Sequence, residues 1–366
     1  MDSKIVGRTA DGFFRYQAWP TVAKDEKGVL YVAASGHRLG HIDPFGKNYL
    51  YISRDEGESW EGPIIVNDTY LDDRDGGLCA WGDGQLLLSW FNLSPSHMEN
   101  STSPHSAPAR TPLGLAAQSL WKELPEEDKR PGSYLKRSSD GGKSWSEAIR
   151  VPITSPHGPV RKADGSLIYL GRVFIPEDEE KYPAGRICAI GSHDGGKTWE
   201  KLGLVPDGEG VDRSWVHEPD VIELPDGTLL GALRVSPKRF VGDNTVYLTR
   251  SADGGKTWSV PQPTGATGTP PHFLLHSSGA LVLCHSRRTE PCGQRAMISY
   301  DNGLTWSEEI VISPESPDWD HGYPSSVELS DGSILTVYYQ KHPGDSYNSI
   351  LATRWTLPEK NWNFVK

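Results

Sequence analysis

The chain has 366 residues with a formal net charge of −11, and 36% of its residues are hydrophobic and 23% charged. That is a globular composition, and its negative balance repels nucleic acid and anionic membrane surfaces on average, so neither is expected as a partner. Glycine (39), proline (28) and tryptophan (13) are abundant, as in turn-dense β proteins, which excludes a helical bundle.

In chain order, an apolar strand, a turn and a second apolar strand recur from near Trp19, Gly76, Gly158, Pro219, His272 and Pro324. Val221–Arg234 and Ser326–Tyr339 show the pattern well, with Asp226-Gly227 and Asp331-Gly332 as hairpin turns. Five of the units continue into Ser-x-Asp-x-Gly-x-(Ser/Thr)-Trp, at Ser53–Trp60, Ser138–Trp145, Ser192–Trp199, Ser251–Trp258 and Ser299–Trp306. In each copy the Asp can accept local backbone amides, the Gly permits positive φ and the Trp packs between neighbouring sheets. The sixth unit lacks this turn and runs out at Trp355. Its missing outer strand is supplied by the segment before Arg15, which closes the ring and leaves no exposed edge. The expectation is an all-β, six-bladed propeller forming a single domain over residues 1–366. A Pro- and Ser-rich insertion at about 93–131 interrupts the second unit, with a helical stretch at Leu113–Leu124, and lies over one mouth of the ring.

In such a ring the ends of second strands gather at one mouth. Arg38, Arg172, Arg234 and Arg287-Arg288 fall there, either as a site for an anion or as charges paired with neighbouring carboxylates. The same mouth gathers His37, His41, His157, His217, His272 and Asp72-Asp73-Arg74-Asp75. Cys79, Cys188 and Cys284 sit in strand-like runs as buried thiols, and Cys292 lies apart from them. No zinc-type spacing is present, so no metal or cofactor is implied. Met1-Asp-Ser-Lys lacks the apolar stretch of a secretory leader and no run reaches membrane-spanning length. A cytoplasmic chain is expected as written, with secretion left open.

The five turns resemble the Asp box of the sialidase (neuraminidase) superfamily, and six units resemble its six-bladed propeller. What the resemblance implies is an exo-glycosidase that releases a terminal acidic sugar, a sialic acid above all, with retained configuration. It assigns the nucleophile to Tyr323 at the head of "GYPSSVELSDG", the base that activates it to Glu218 in "VHEPDVIELPDG", and the acid/base to Asp43, five residues after Arg38. The three carboxylate-gripping arginines map onto Arg15, Arg234 and Arg295, with Arg38, Arg74, Arg288, His37 and Asp73 as further substrate contacts. Two departures stand out. The chain has Arg15-Tyr-Gln-Ala-Trp-Pro where the family shows Arg-Ile-Pro, and Tyr338-Tyr339 where the family shows Tyr-Glu. The Asp box also occurs in polysaccharide lyases and in propellers without catalysis. A glycosidase or lyase acting on uronic-acid glycans through His and Arg, and a propeller that only binds glycans, therefore stay open.

Overall fold

In the computed structural model, which describes residues 2–9, 12–94, 104–237 and 244–359, six antiparallel sheets follow one another around an axis. Blade I is Tyr16–Lys24, Leu30–Arg38, Lys47–Ser53 and Glu61–Asn67, and blade II is Asp72–Trp81, Gln85–Leu93, Ser133–Ser138 and Ile149–Val151. Blade III begins with the short pieces Ile153–Thr154 and Val160–Arg161 and continues through Leu167–Val173, Ile187–Ser192 and Glu200–Leu204. Blade IV runs Val216–Glu223, Leu229–Val235, Thr245–Ser251 and Gln262–Thr267, and blade V runs His272–Leu275, Leu281–Arg287, Gly293–Ser299 and Ile310–Val311. Blade VI takes three strands from the C-terminal part, Gly322–Glu328, Ile334–Lys341 and Asn348–Trp355, and its fourth from Lys4–Gly7. Lys4 faces Ala352 and Ile5 faces Leu351 across this antiparallel pairing, so the two ends of the chain close the ring. This is the propeller expected from the repeats.

The apolar core is divided into six clusters, each wedged between two neighbouring blades. Val22 and Val32 of blade I meet Val327 and Val337 of blade VI, and Leu50 meets Leu86 and Leu88 of blade II. Each of five wedges takes the tryptophan of one turn: Trp60, Trp145, Trp199, Trp258 and Trp306. Trp355 fills the wedge between blades V and VI, where no such turn exists, and its indole N–H donates to Thr336 Oγ1 at 2.8 Å.

The turns are built alike. In the second, Asp140 Oδ1 accepts from the backbone amides of Lys143 and Ser144 at 3.0 Å each, and the Ser138 hydroxyl bonds its Oδ1 at 2.8 Å. These bonds, first among them the Ser144 hydroxyl, pull the Asp140 carboxyl down to about 2. Gly142 stands at φ 84° where a Cβ would come 2.5 Å from the Leu50 side chain, so only glycine lets the turn press against blade I.

Part of the 93–131 insertion, residues 95–103, lies outside the described residues. The described remainder carries a 3₁₀ turn at Pro104–Arg110, an α-helix at Pro112–Lys122 capped by Thr111, and a second 3₁₀ turn at Glu126–Lys129. All four cysteines are buried and unpaired. Among the described residues, no helix is long and apolar enough to cross a membrane.

Ring closure predicts the effect of truncation. A chain lacking its first eight residues exposes the backbone edge of Asn348–Trp355 and uncovers Val6. It should lose on the order of 2–4 kcal/mol of stability, the scale of a few ladder bonds and one buried side chain. Denaturant melts measure the loss, and size-exclusion chromatography should show edge-to-edge association.

Candidate functional site

The site is created by a defect repeated in four innermost strands. Pairing with the second strand shifts between Ala18 and Thr21, between Arg74 and Gly77, between His217 and Asp220, and between Gly322 and Ser325. Inside these bulges stand Trp19 (φ 54°), Asp75 (φ 49°), Glu218 (φ 40°) and Tyr323 (φ 55°). A left-handed conformation costs an L-residue roughly 1–2 kcal/mol, and a bulge re-aims its side chain. Four blades thus turn one side chain each toward the axis at the same mouth.

Tyr323 and Glu218 meet there. The phenol Oη donates to Glu218 Oε1 at 2.7 Å, and Arg234 Nη1 donates to the other oxygen, Oε2. Arg234 is 2% exposed and fixed through Nε on Ser236 Oγ at 2.9 Å. Burial alone would raise the Glu218 carboxyl, but the Arg234 guanidinium and the Tyr323 hydroxyl outweigh it and hold the group below the usual carboxylate range. Burial, and then the charge of Glu218, push the Tyr323 phenol well above its ordinary value. At neutral pH the pair is therefore a protonated phenol hydrogen-bonded to a carboxylate.

Around it lies a charge-balanced wall. Arg38, fully buried, pairs with Asp72 Oδ1 at 2.6 Å, and Arg74 pairs with Asp72 Oδ2 at 3.2 Å. Both guanidiniums lie over the Trp19 ring, at 4.8 and 4.1 Å from its centroid. Arg288 donates to His321 O at 3.1 Å and to the Tyr339 hydroxyl at 3.3 Å, with Tyr323's ring 5.9 Å away. Asp43 sits on the loop after Arg38, fully buried, its two oxygens accepting the Leu39 amide at 2.6 Å and the Phe45 amide at 2.7 Å. Burial raises its carboxyl to about 6.

The remaining sequence candidates stand elsewhere. Arg295 donates to Gln294 O and Pro291 O of its own blade, at 3.1 and 2.7 Å. Arg15 lies over the Tyr347 ring at 4.1 Å, and His37 stacks on Phe14 at 4.0 Å. Asp73 turns its carboxylate to the Thr69 amide and hydroxyl, at 2.8 and 3.0 Å. Arg172 and His217 pair with each other at 3.1 Å. His157 and His272 lie one layer below the mouth. Their rings are 4.8 Å apart, beside a cavity of about 250 Å³ that Thr21 and Asp220 also line.

Three groups at the mouth carried no sequence signal: Trp19, Tyr16 and Asp320. Asp320 accepts from the Tyr16 hydroxyl at 3.0 Å, the Tyr339 hydroxyl at 3.1 Å and the His41 ring at 3.0 Å. Asp75 was legible only as one of an acidic cluster. Its Oδ1 is buried without a hydrogen-bond partner, and burial, with Glu218 adding to it, raises the carboxyl to about 7 against the pull of Arg74. An acid raised on folding contributes its stability below the unfolded value, and that contribution is lost as pH rises through about 7. Asp75→Asn should therefore leave stability near pH 4 almost unchanged and raise it at pH 8 by on the order of 1–4 kcal/mol. Urea melts at the two pH values test this, and a gap that fails to widen with pH refutes it.

A family model described as a BNR repeat-like domain matches residues 119–337. The chain is 26% identical over 196 residues to a sialidase of Clostridium perfringens, covering 46% of this chain and 50% of the relative. It is 25% identical over 247 residues to a sialidase of Bacteroides fragilis (strain YCH46), covering 60% and 42%. The chain thus spans half or less of the length of these curated relatives. Among solved structures it resembles a protein of unknown function from Dyadobacter fermentans, with a TM-score of 0.76, 23% identity and 98% of each chain covered. It also resembles a leech intramolecular trans-sialidase, with a TM-score of 0.65, 15% identity, and 97% and 70% covered. The chain belongs to the BNR repeat-like domain family, and its fold is a six-bladed propeller.

Proposed function

We propose that the protein is a retaining exo-glycosidase that releases a terminal acidic sugar, a sialic acid above all, from a glycan. The observation that carries this reading is the 2.7 Å hydrogen bond from Tyr323 Oη to Glu218 Oε1, backed by Arg234 on the other carboxylate oxygen.

The chemistry follows from charge. A sialic acid bears a carboxylate on its anomeric carbon, which repels a carboxylate nucleophile, and a phenol assisted by a base avoids that repulsion. Tyr323 Oη attacks the anomeric carbon while Glu218 takes the phenolic proton. The phenol's raised value and the carboxylate's depressed one keep the proton on oxygen until the new bond forms, so no phenolate is left exposed between turnovers. The leaving oxygen is protonated from the loop after Arg38, on which Asp43 is the residue that family resemblance assigns. Arg234, Arg288, Arg74 and Arg38 supply the positive side of the mouth for the sugar carboxylate. Arg15, Arg295, His37 and Asp73, each held by a partner of its own away from the Tyr323 and Glu218 pair, are given no part in the steps above.

Tyr323→Phe keeps the ring and removes the attacking oxygen. Turnover of 4-nitrophenyl glycosides of sialic acid, its deaminated form and uronic acids should collapse by more than a hundredfold, with stability altered by about 1 kcal/mol. Retention of more than a tenth of the wild-type rate, a barrier change under about 1.4 kcal/mol, overturns the tyrosine mechanism. Within the same panel, preference for a uronic acid would move the substrate from sialic acid to the second class of acidic sugar.

A further inference from the structure

The loop between Arg38 and Lys47 carries two side chains able to move a proton at neutral or acid pH, and their surroundings are opposite. Asp43 is fully buried and spends both oxygens on the Leu39 and Phe45 amides of its own loop. It ties the loop into a turn, with its backbone N–H donating to Asp72 Oδ2 at 3.3 Å. His41 stands two residues earlier and keeps 17% of its side chain exposed. Its ring meets the edge of Trp19 at a centroid distance of 5.1 Å, and Trp19 in turn meets Tyr323 at 6.5 Å.

The imidazole is held from both sides. Its Nδ1 lies 3.0 Å from Asp320 Oδ1 and 3.1 Å from the Tyr16 hydroxyl. An ionised carboxylate only accepts, so Nδ1 carries the proton in this pairing and Nε2 is the nitrogen that exchanges one. The backbone carbonyl of His41 accepts from Arg74 Nη1 at 2.8 Å and Arg38 Nη2 at 3.1 Å. Asp320 is itself fixed by the Tyr16 and Tyr339 hydroxyls, and against burial the His41 ring first, then the Arg288 charge and the Tyr16 hydroxyl, bring it down to about 2. A carboxylate that orients a histidine's far nitrogen is the arrangement that makes imidazole an effective proton carrier.

We propose that His41, oriented by Asp320, is the acid/base of this site and that Asp43 is the residue that positions its loop. The inference rests on the glycosidase reading above. In the first step Tyr323 Oη bonds to the anomeric carbon and its proton passes to Glu218. The glycosidic C–O bond breaks, and the leaving oxygen takes the proton from His41 Nε2. In the second, water attacks the same carbon and gives its proton to His41, and the Tyr323 oxygen leaves and recovers the proton held on Glu218. Every proton is returned and nothing is oxidised.

Among the described residues, groups facing His41 include Tyr16 and Trp19 from blade I, Arg74 from blade II, Arg288 from blade V, and Asp320 and Trp319 from the blade VI side. Burial first, and then Arg74 and Arg288 against Asp320, lower the imidazole to about 4. The first step needs its protonated form. kcat/KM on a methyl glycoside, whose leaving group needs a proton, should therefore fall roughly tenfold per unit as pH rises above about 4. A 4-nitrophenyl glycoside should fall far less.

The experiment compares 4-nitrophenyl and methyl glycosides of N-acetylneuraminic acid across pH for the wild type, His41→Gln, Asp320→Asn, Asp43→Asn and Tyr323→Phe, with thermal melts as the folding control. His41→Gln should lose at least a hundredfold on the methyl glycoside and under about tenfold on the nitrophenyl one, and lose the alkaline limb. Asp320→Asn should show a weaker version of the same signature. Asp43→Asn should lower both substrates alike. If the leaving-group signature appears in Asp43→Asn and not in His41→Gln, the assignment is overturned. An equal loss on both substrates in His41→Gln also overturns it, leaving a purely structural role. Inactive Tyr323→Phe in either case leaves the glycosidase reading standing, whereas active Tyr323→Phe brings down that reading itself.

Discussion

A ring of sheets is stable only when each sheet is covered on both faces, and that constraint governs this protein from the turns to the site. Six wedges between blades hold the apolar core, and each needs one large side chain at its outer part. Five times the Asp-box turn supplies it. In the wedge between blades V and VI, Trp355 comes from the end of a strand instead, with the ring closed by Lys4–Gly7 against Asn348–Trp355. Covering every face with outer strands leaves the innermost strands to make the mouth. At the mouth their bulges give up regular β pairing, and there the strain of four left-handed residues is concentrated.

Charge at the mouth is organised by pairing rather than by accumulation. Arg234 is matched by Glu218, Arg38 and Arg74 by Asp72, and Arg288 lies in the field of Asp320. Buried pairs of this kind contribute little net stability, because removing both charges from water costs about what their attraction returns. What they fix is direction and protonation. Arg234 keeps Glu218 ionised against burial and aims its second oxygen at Tyr323. An acidic ligand entering this wall meets cations already compensated. Its affinity therefore depends on how well its carboxylate fits the guanidinium forks rather than on bulk positive charge.

Periodic features of the fold were legible in the sequence because they recur: the five turns, the six hairpins, and the strand borrowed from the N-terminal segment. Tyr323, Glu218 and Arg234 were legible because each closes or opens a hairpin of recognisable pattern. Side-chain direction was not. A bulge at Arg74/Gly77 sends Asp75 to the axis and turns Asp73 to Thr69, and strand alternation without the bulge gives no reason to separate them. His37, at φ 55°, swings onto Phe14 while Arg38 next to it is fully buried. Arg295 was placed among the carboxylate-gripping arginines by resemblance alone, and its guanidinium answers to the carbonyls of Gln294 and Pro291. Asp320 lies in the irregular stretch before blade VI, where no periodic pattern applies, and only the folded ring brings it to Tyr16, His41 and Tyr339.

The loop after Arg38 shows how a short irregular segment can be made rigid enough to carry chemistry. Asp43 ties it internally, Arg38 and Arg74 grip the His41 carbonyl, and Asp320 holds the His41 ring from across the mouth. The insertion of blade II adds a fourth restraint, since a Cβ on Gly40 would come 2.9 Å from Pro108 Cγ. Blades I, II and VI and the insertion therefore all bear on seven or eight residues of backbone. A side chain on such a loop is positioned by the whole ring, and the precision that catalysis requires of a proton carrier arises from that shared hold rather than from the loop's own sequence.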